Sequence, residues 1–307
     1  MGQGCLLPLH LHAARTRSAP VAWTRRLGWI CVLAALACSS VSRAADPEEG
    51  TSSRYERRRA QKCIPFSHLD GDGQAKVREV LSDVAIYRRM PIEVIQCDPD
   101  LYVFMVHQPD AVVNIWEILG ISEVGLTKTG PNLYRADDGH GTLSDVEYLY
   151  RDKQKCLIYA EGTYEGPLFT RKVKGKCLML LQAGFITQPD GTTYVTHRLD
   201  TFINLDSFGW EVLAKTFQPL MGKVADRNFV EISSFMSSFS RKAQRDPEWT
   251  QRIVERLDNV EPEVREDLAK LAVKLGEQPE LERVNLEQGP PPIGRPTTAS
   301  RRAPVGQ

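Results

Sequence analysis

Net charge is the first thing this sequence lacks: 39 Lys and Arg offset 39 Asp and Glu over 307 residues. A nucleic-acid binder needs a basic stripe to neutralise phosphates, so that class drops out. Several catalytic and cofactor signatures are missing too. There is no phosphate-cradling glycine loop, no Gly-x-Ser-x-Gly elbow, no His-Glu-x-x-His and no Cys-x-x-Cys. Histidine is scarce, with His68, His107, His140 and His197 the only four beyond residue 44. No apolar run reaches the roughly 20 residues that span a bilayer. Residues 27–40 (LGWICVLAALACSS) form a shorter one behind Arg25-Arg26, with small residues at Ser42-Arg43-Ala44. That pattern reads as a secretory signal peptide over 1–44, cleaved after Ala44 or Ala45. Lipidation at Cys38 and an uncleaved anchor are the alternatives. The expectation is an exported protein, periplasmic or secreted.

Export changes the meaning of cysteine. Cys63, Cys97, Cys156 and Cys177 remain after processing, and an oxidising compartment permits disulfides. A hairpin turning at Gly166-Pro167 would set Cys156 opposite Cys177, with Cys63–Cys97 as companion pair. Free buried thiols are the plainer reading.

What is present is ordinary globular composition, 42% hydrophobic and 25% charged. Residues 45–62 are charged and nearly devoid of apolar groups, which predicts a disordered linker. Its arginines offer at most transient membrane contact. Asp70-Gly71-Asp72-Gly73 lacks the further ligands of a calcium loop and reads as a turn opening a helix over 74–90. Residues 94–107 read as one bent strand or a strand pair broken at Asp98-Pro99-Asp100, with 101–106 (LYVFMV) apolar throughout. A short helix over 111–119 ends at Gly120. Strands are expected over 121–128, 132–136, 143–151 and 156–164. A long hairpin then runs 175–187 and 192–205, turning at Gln188-Pro189-Asp190-Gly191. Val195, His197, Leu199, Thr201 and Ile203 alternate onto one apolar face, leaving the other face wet. A helix over 208–242 follows, with Pro219 and Gly222 as kink points and Phe229, Ile232, Phe235, Met236 and Phe239 as its apolar stripe. Helices over 247–257 and 262–275 precede a disordered Pro-rich tail, 277–307. The expected class is α+β: a curved antiparallel sheet of about seven strands gripping a long C-terminal helix, all within 63–246.

This order resembles the START-like, or polyketide-cyclase-like, helix-grip superfamily over about residues 93–242. The likeness rests on His107-Gln108-Pro109-Asp110-Ala111-Val112-Val113-Asn114-Ile115-Trp116, on Leu205-Asp206 leading into a tryptophan-bearing helix, and on Asp226-Arg227-Asn228-Phe229. It implies a sheet and helix enclosing an apolar cavity for lipids, sterols or polyketides. The superfamily holds enzymes as well as carriers, so the fold leaves function open.

The cavity is expected between sheet and helix, lined by Tyr148, Tyr150, Met179, Leu181, Phe185, His197, Leu199 and Phe235, with a volume of roughly 300–1,000 Å3. His197 would anchor a ligand's polar end; its plainer reading is a core histidine satisfied within the protein. His140 with Asp137 and Asp138 reads more economically as an acidic turn than as a metal site. Glu147 and Glu161 sit across from the apolar faces of their strands. No metal or cofactor is expected. The leading function is an exported binding or carrier protein for a hydrophobic, lipid-like small molecule. A cyclase- or hydrolase-like enzyme using His197 with a tyrosine, and an interaction module with a filled cavity, are the rivals.

Overall fold

The computed structural model describes residues 49–165, 172–206 and 218–277. The expected leader (1–44), the Gly166-Pro167 turn, the helix opening at Phe208 and Trp210, and the tail past Glu277 lie outside these residues.

In chain order the elements are α1 (Arg54–Lys62), a 3-10 turn (Phe66–His68), α2 (Gly71–Ser82), β1 (Ile86–Arg89), β2 (Glu93–Gln96), α3 (Pro99–His107), α4 (Pro109–Ile118), β3 (Gly125–Gly130), β4 (Leu133–Asp137), β5 (Thr142–Arg151), β6 (Lys155–Tyr164), β7 (Val173–Thr187), β8 (Thr193–Leu205), α5 (Gln218–Arg245), α6 (Pro247–Arg256) and α7 (Pro262–Gly276). The eight strands form one curved, unclosed antiparallel sheet in the order β1-β8-β7-β6-β5-β4-β3, with β2 also paired to β8. The class is α+β, with the long helix α5 crossing one face of the sheet. None of the described helices is long and apolar enough to cross a membrane.

Three local expectations change. Residues 83–90 do not continue α2. Ile86–Arg89 alternates with period 2 and pairs with β8, Tyr87 opposite Phe202 and Arg89 opposite Asp200. The apolar run 101–106 is helix α3 rather than strand. Asp98 caps it, its carboxylate accepting from the backbone N–H groups of Asp100 and Leu101 at 2.9 and 3.0 Å, and Pro99 occupies the first turn, where a missing N–H costs nothing. An all-apolar run has no period to separate helix from strand, so the cap was the deciding signal. The charged linker is also partly ordered. Ser53 caps α1 by accepting from Glu56 N–H at 3.1 Å, and Glu56 pairs with Arg89 of β1.

That pairing belongs to a layer the sequence did not announce. The face of the sheet away from α5 is not wet: α1 and α2 cover it. Leu157, Leu178, Leu180 and Phe202 are each 0% exposed there, and burying such side chains stabilises by about 1.5–3 kcal/mol apiece. Phe202, an exception to a polar face when read along β8, is the middle of this second core. Asp200, also 0% exposed, accepts from Tyr87 Oη at 2.6 Å and Arg89 Nε at 2.8 Å. A buried carboxylate is tolerable only with such partners. Helices therefore pack on both faces.

On the first face, α5 meets two clusters. Its C-terminal half (Met236, Phe239, Ala243) packs with α3, α4, α6, α7 and Val195 in a closed core. Ala225 and Phe229 pack with Met90, Val146, Tyr148, Ala160, Met179 and Leu199. Gly222, read as a kink point, lies inside the continuous helix, its Cα facing the Arg88 guanidinium. Arg88 Nε donates to Asp226 at 2.9 Å, tying α5 to β1.

Candidate functional site

A cavity of about 120 Å3 lies between the sheet and the N-terminal part of α5. Its origin can be read from the strand register. Ala136, Ser144, Gly162, Gly175 and Leu205 stand in one row across β4 to β8. Four of these five carry little or no side chain, so the sheet offers a shallow floor at that end. Gly162 is required there: a Cβ would meet Leu143 O and Ser144 Cβ at 2.7 Å. The next rows bring Ala160 and Cys177, then Met179 and Thr201, to the wall. Ala225, Asn228, Phe229 and Ile232 of α5 form the roof. The volume is close to that of voids of roughly 150 Å3 that take up a benzene ring.

Two lining residues, Ser144 and Asn228, each carry a buried polar atom without a protein partner, Ser144 Oγ and Asn228 Nδ2, and both atoms are closed off from the space itself. Ser144 is 8% exposed. Other unpartnered polar atoms, such as those of Asp110, Trp116 and Thr250, do not border it. Among the described residues the one charged member of the lining is Lys176, which sends its ammonium to Glu79 and Glu161. Cys177 also lines the cavity, and burial pushes its thiol up to about 12, so it is an inert neutral wall.

Of the eight residues expected to line a pocket, Met179 and Leu199 do so. Tyr148 faces the same side but is spent within the core: its hydroxyl donates to Val106 O at 2.9 Å and its ring meets Tyr134 at 5.8 Å. Tyr150 is on the opposite face. A register shift between them sets Tyr148 against Ile158 and Tyr150 against Leu157, so the bulge reverses the alternation. Tyr150 instead donates to Asp152 at 2.6 Å and packs on His68. Leu181 borders a water-sized crevice beside Tyr102 and Cys156. Phe185 and Phe235 pack against the closed core, touching Tyr102 and Trp116 edge-on. Helices α3 and α4 thus fill the space around Phe185 and Phe235 that was expected to belong to the cavity.

His197 lies inside, 3% exposed, but away from the cavity lining. Both ring nitrogens are occupied, Nδ1 by Tyr102 Oη at 2.9 Å and Nε2 by Ser233 Oγ at 2.9 Å. The Ser233 hydroxyl donates to Phe229 O at 2.7 Å, so Nε2 must carry the hydrogen and Nδ1 accepts from Tyr102. Burial lowers the His197 pKa to about 4, keeping the ring neutral. It is a satisfied core histidine and not the expected ligand anchor.

The four cysteines are free. Cys177 stands opposite Ala160, and Cys156 opposite Leu181. The two are four residues apart along the ladder, about 13 Å at strand rise, beyond the roughly 7 Å a disulfide allows. Tyr164 pairs with Val173, so the connection is centred two residues later than a turn at Gly166-Pro167. Cys63 packs with the α1–α2 layer and Cys97 under α5, with the sheet between them. Asp138, beside His140, accepts from the backbone N–H groups of His140 and Thr142 at 2.8 Å, as an acidic turn does. No three His, Cys, Asp or Glu side chains converge on a metal position among the described residues.

Ser144 and Asn228 were missed, yet each carried a signal. Ser144 shares the apolar alternation of Val146 and Tyr148, and Asn228 sits between Ala225 and Ile232 on the helix stripe. A polar residue at a core-facing position is the mark of such a site.

No protein-family model matches the chain, and no curated protein matches it either. Solved structures similar to it include a conserved protein from Geobacillus kaustophilus, 14% identical, with 48% of this chain and 93% of that one covered and a TM-score of 0.34. A protein from Rhizobium loti is 15% identical, with 46% and 97% covered and a TM-score of 0.23. The di-domain ARO/CYC BexL from the BE-7585A biosynthetic pathway is 17% identical, with 53% and 50% covered and a TM-score of 0.25.

Proposed function

We propose that this chain binds a small hydrophobic molecule in the cavity between the sheet and α5, as an exported carrier or binding protein. The observation that carries the reading is the row of small residues, Ser144, Gly162 and Gly175, beneath the bridging helix. Close-packed interiors do not leave such space without a cost in lost contacts, and apolar walls favour an apolar occupant. Catalysis through His197 has no support in the geometry, because its nitrogens are taken up by Tyr102 and Ser233. The size of the space suits one ring or the end of a chain rather than a whole lipid.

The test uses ethylbenzene as a probe, with binding followed by calorimetry or amide shifts. Ala160 lies on the cavity wall, and Ala160→Leu should fill the space, exclude the probe and raise the unfolding temperature. Failure of the wild-type chain to bind, or equal binding by the filled variant, would refute the reading.

A further inference from the structure

We infer that residues 50–53 form a strap that holds the roof of the cavity in place, so that docking of the strap and filling of the cavity favour one another; the coupling to a ligand rests on the ligand-binding reading above. β1 is the end strand of the sheet on that side, and two consecutive arginines on it face opposite ways. Arg88 stands in register with Thr201 and Met179, on the α5 face. It donates to Asp226 of α5 through Nε at 2.9 Å and also through Nη2. Arg89 stands in register with Asp200 and Leu180, on the other face, and pairs with Glu56 of α1.

The chain from Gly50 to Glu56 passes around the sheet edge between these two anchors. Thr51 pairs with Arg89 as a further strand would, N–H to O in both directions at 2.8 Å. Gly50 then reaches α5, its N–H donating to the Asp226 carboxylate at 2.9 Å. The approach is close enough to require glycine. A Cβ at position 50 would overlap the Asp226 carboxylate and lie 2.5 Å from Arg89 O. Arg89 is fixed in turn by its pairing with Asp200. One carboxylate thus receives the sheet edge and the strap together.

Asp226 sits on the turn of α5 that carries Ala225, Asn228 and Phe229 into the roof, while none of residues 50–53 lines the cavity itself. The other half of α5 is held differently, with Met236, Phe239 and Ala243 in the closed core against α3, α4, α6 and α7. Release of the strap therefore loosens the roof turn and leaves the rest of the helix in place. A ligand bound under a roof already ordered loses less entropy in ordering it, and linkage requires the ligand to strengthen docking of the strap by the same factor.

The experiment follows amide hydrogen exchange in the full chain, which reads local opening, with ethylbenzene as the probe. Gly50→Val puts a side chain where none fits, and Thr51→Pro removes the N–H that bonds Arg89 O; neither removes Arg88 or Asp226. Residues 225–232 should exchange about tenfold faster in both variants, as loss of one hydrogen bond to a charged group allows, while residues 236–243 keep wild-type rates. Each variant should bind ethylbenzene about tenfold more weakly, and ethylbenzene should slow exchange of the wild-type Gly50 and Thr51 amides by the same factor. Unchanged exchange at 225–232 would overturn the strap, as would equal acceleration along the whole of α5, the mark of a general loss of stability. Faster exchange at 225–232 with wild-type affinity would overturn the coupling. If the wild-type chain binds no ethylbenzene, the ligand-binding reading and the coupling fall together, and the exchange rates of the two variants still decide whether the strap holds the roof.

Discussion

Replacing His197 separates a core role from a ligand role by its dependence on pH. The folded-state pKa is about 4 against an ordinary 6.5, with burial as the cause. For a base whose folded pKa is depressed, the stabilising contribution is fully present above the unfolded value. It is lost as pH falls from 6.5 towards about 4, because the unfolded chain takes up the proton first. The gap corresponds to roughly 3 kcal/mol. His197→Leu removes the titration and leaves Tyr102 Oη without its acceptor, while Ser233 keeps its bond to Phe229 O. An orphaned hydroxyl costs about 1–3 kcal/mol, so the variant should be less stable than wild type at pH 7 by about that amount. Between pH 7 and pH 4 wild type should lose roughly 3 kcal/mol more than the variant, bringing the two together or reversing their order. Urea unfolding followed at both pH values, with unchanged slopes confirming two-state comparison, measures this directly. Parallel pH profiles for the two proteins would refute the argument. So would a variant of wild-type stability that still binds ethylbenzene but loses a polar-headed probe such as acetophenone, since that result would make His197 the anchor after all.

Two further outcomes follow from buried groups. Asp110 is 2% exposed, and burial raises its pKa above 3.8. A carboxyl with a raised folded pKa contributes stability that is lost as pH rises through that value, so Asp110→Asn should stabilise at pH 7 by about 1 kcal/mol; chemical unfolding should show the gain vanishing near pH 3.8. Cys156 and Cys177, both raised to about 12 by burial, should resist alkylation in the native protein. On unfolding without reductant Cys63, Cys97, Cys156 and Cys177 should all be alkylated, and a Cys156–Cys177 cross-linked peptide would contradict the register of β6 and β7.

Much of the architecture follows from sequence alone. The β7–β8 hairpin shows itself by its alternation and by Gly191, which sits at φ 87 in its turn. The amphipathic stripe of α5, the stop at Gly120 (φ 66) and the helices α6 and α7 are equally local properties, set by periodicity and caps over a few residues. These suffice for the α+β class and for a long helix laid on a sheet.

The site needed tertiary structure, because it depends on which residues stand side by side on different strands. A two-residue shift in the β6–β7 connection moved Cys177 from Cys156 to Ala160 and brought Gly162 beside Gly175. A single bulge turned Tyr150 away from Tyr148. The run 101–106 could be helix or strand by composition, and as α3 it fills the space around His197 and Phe185. Strand register, bulges and the placement of all-apolar segments are fixed by packing between distant parts of the chain, and local pattern carries no record of them.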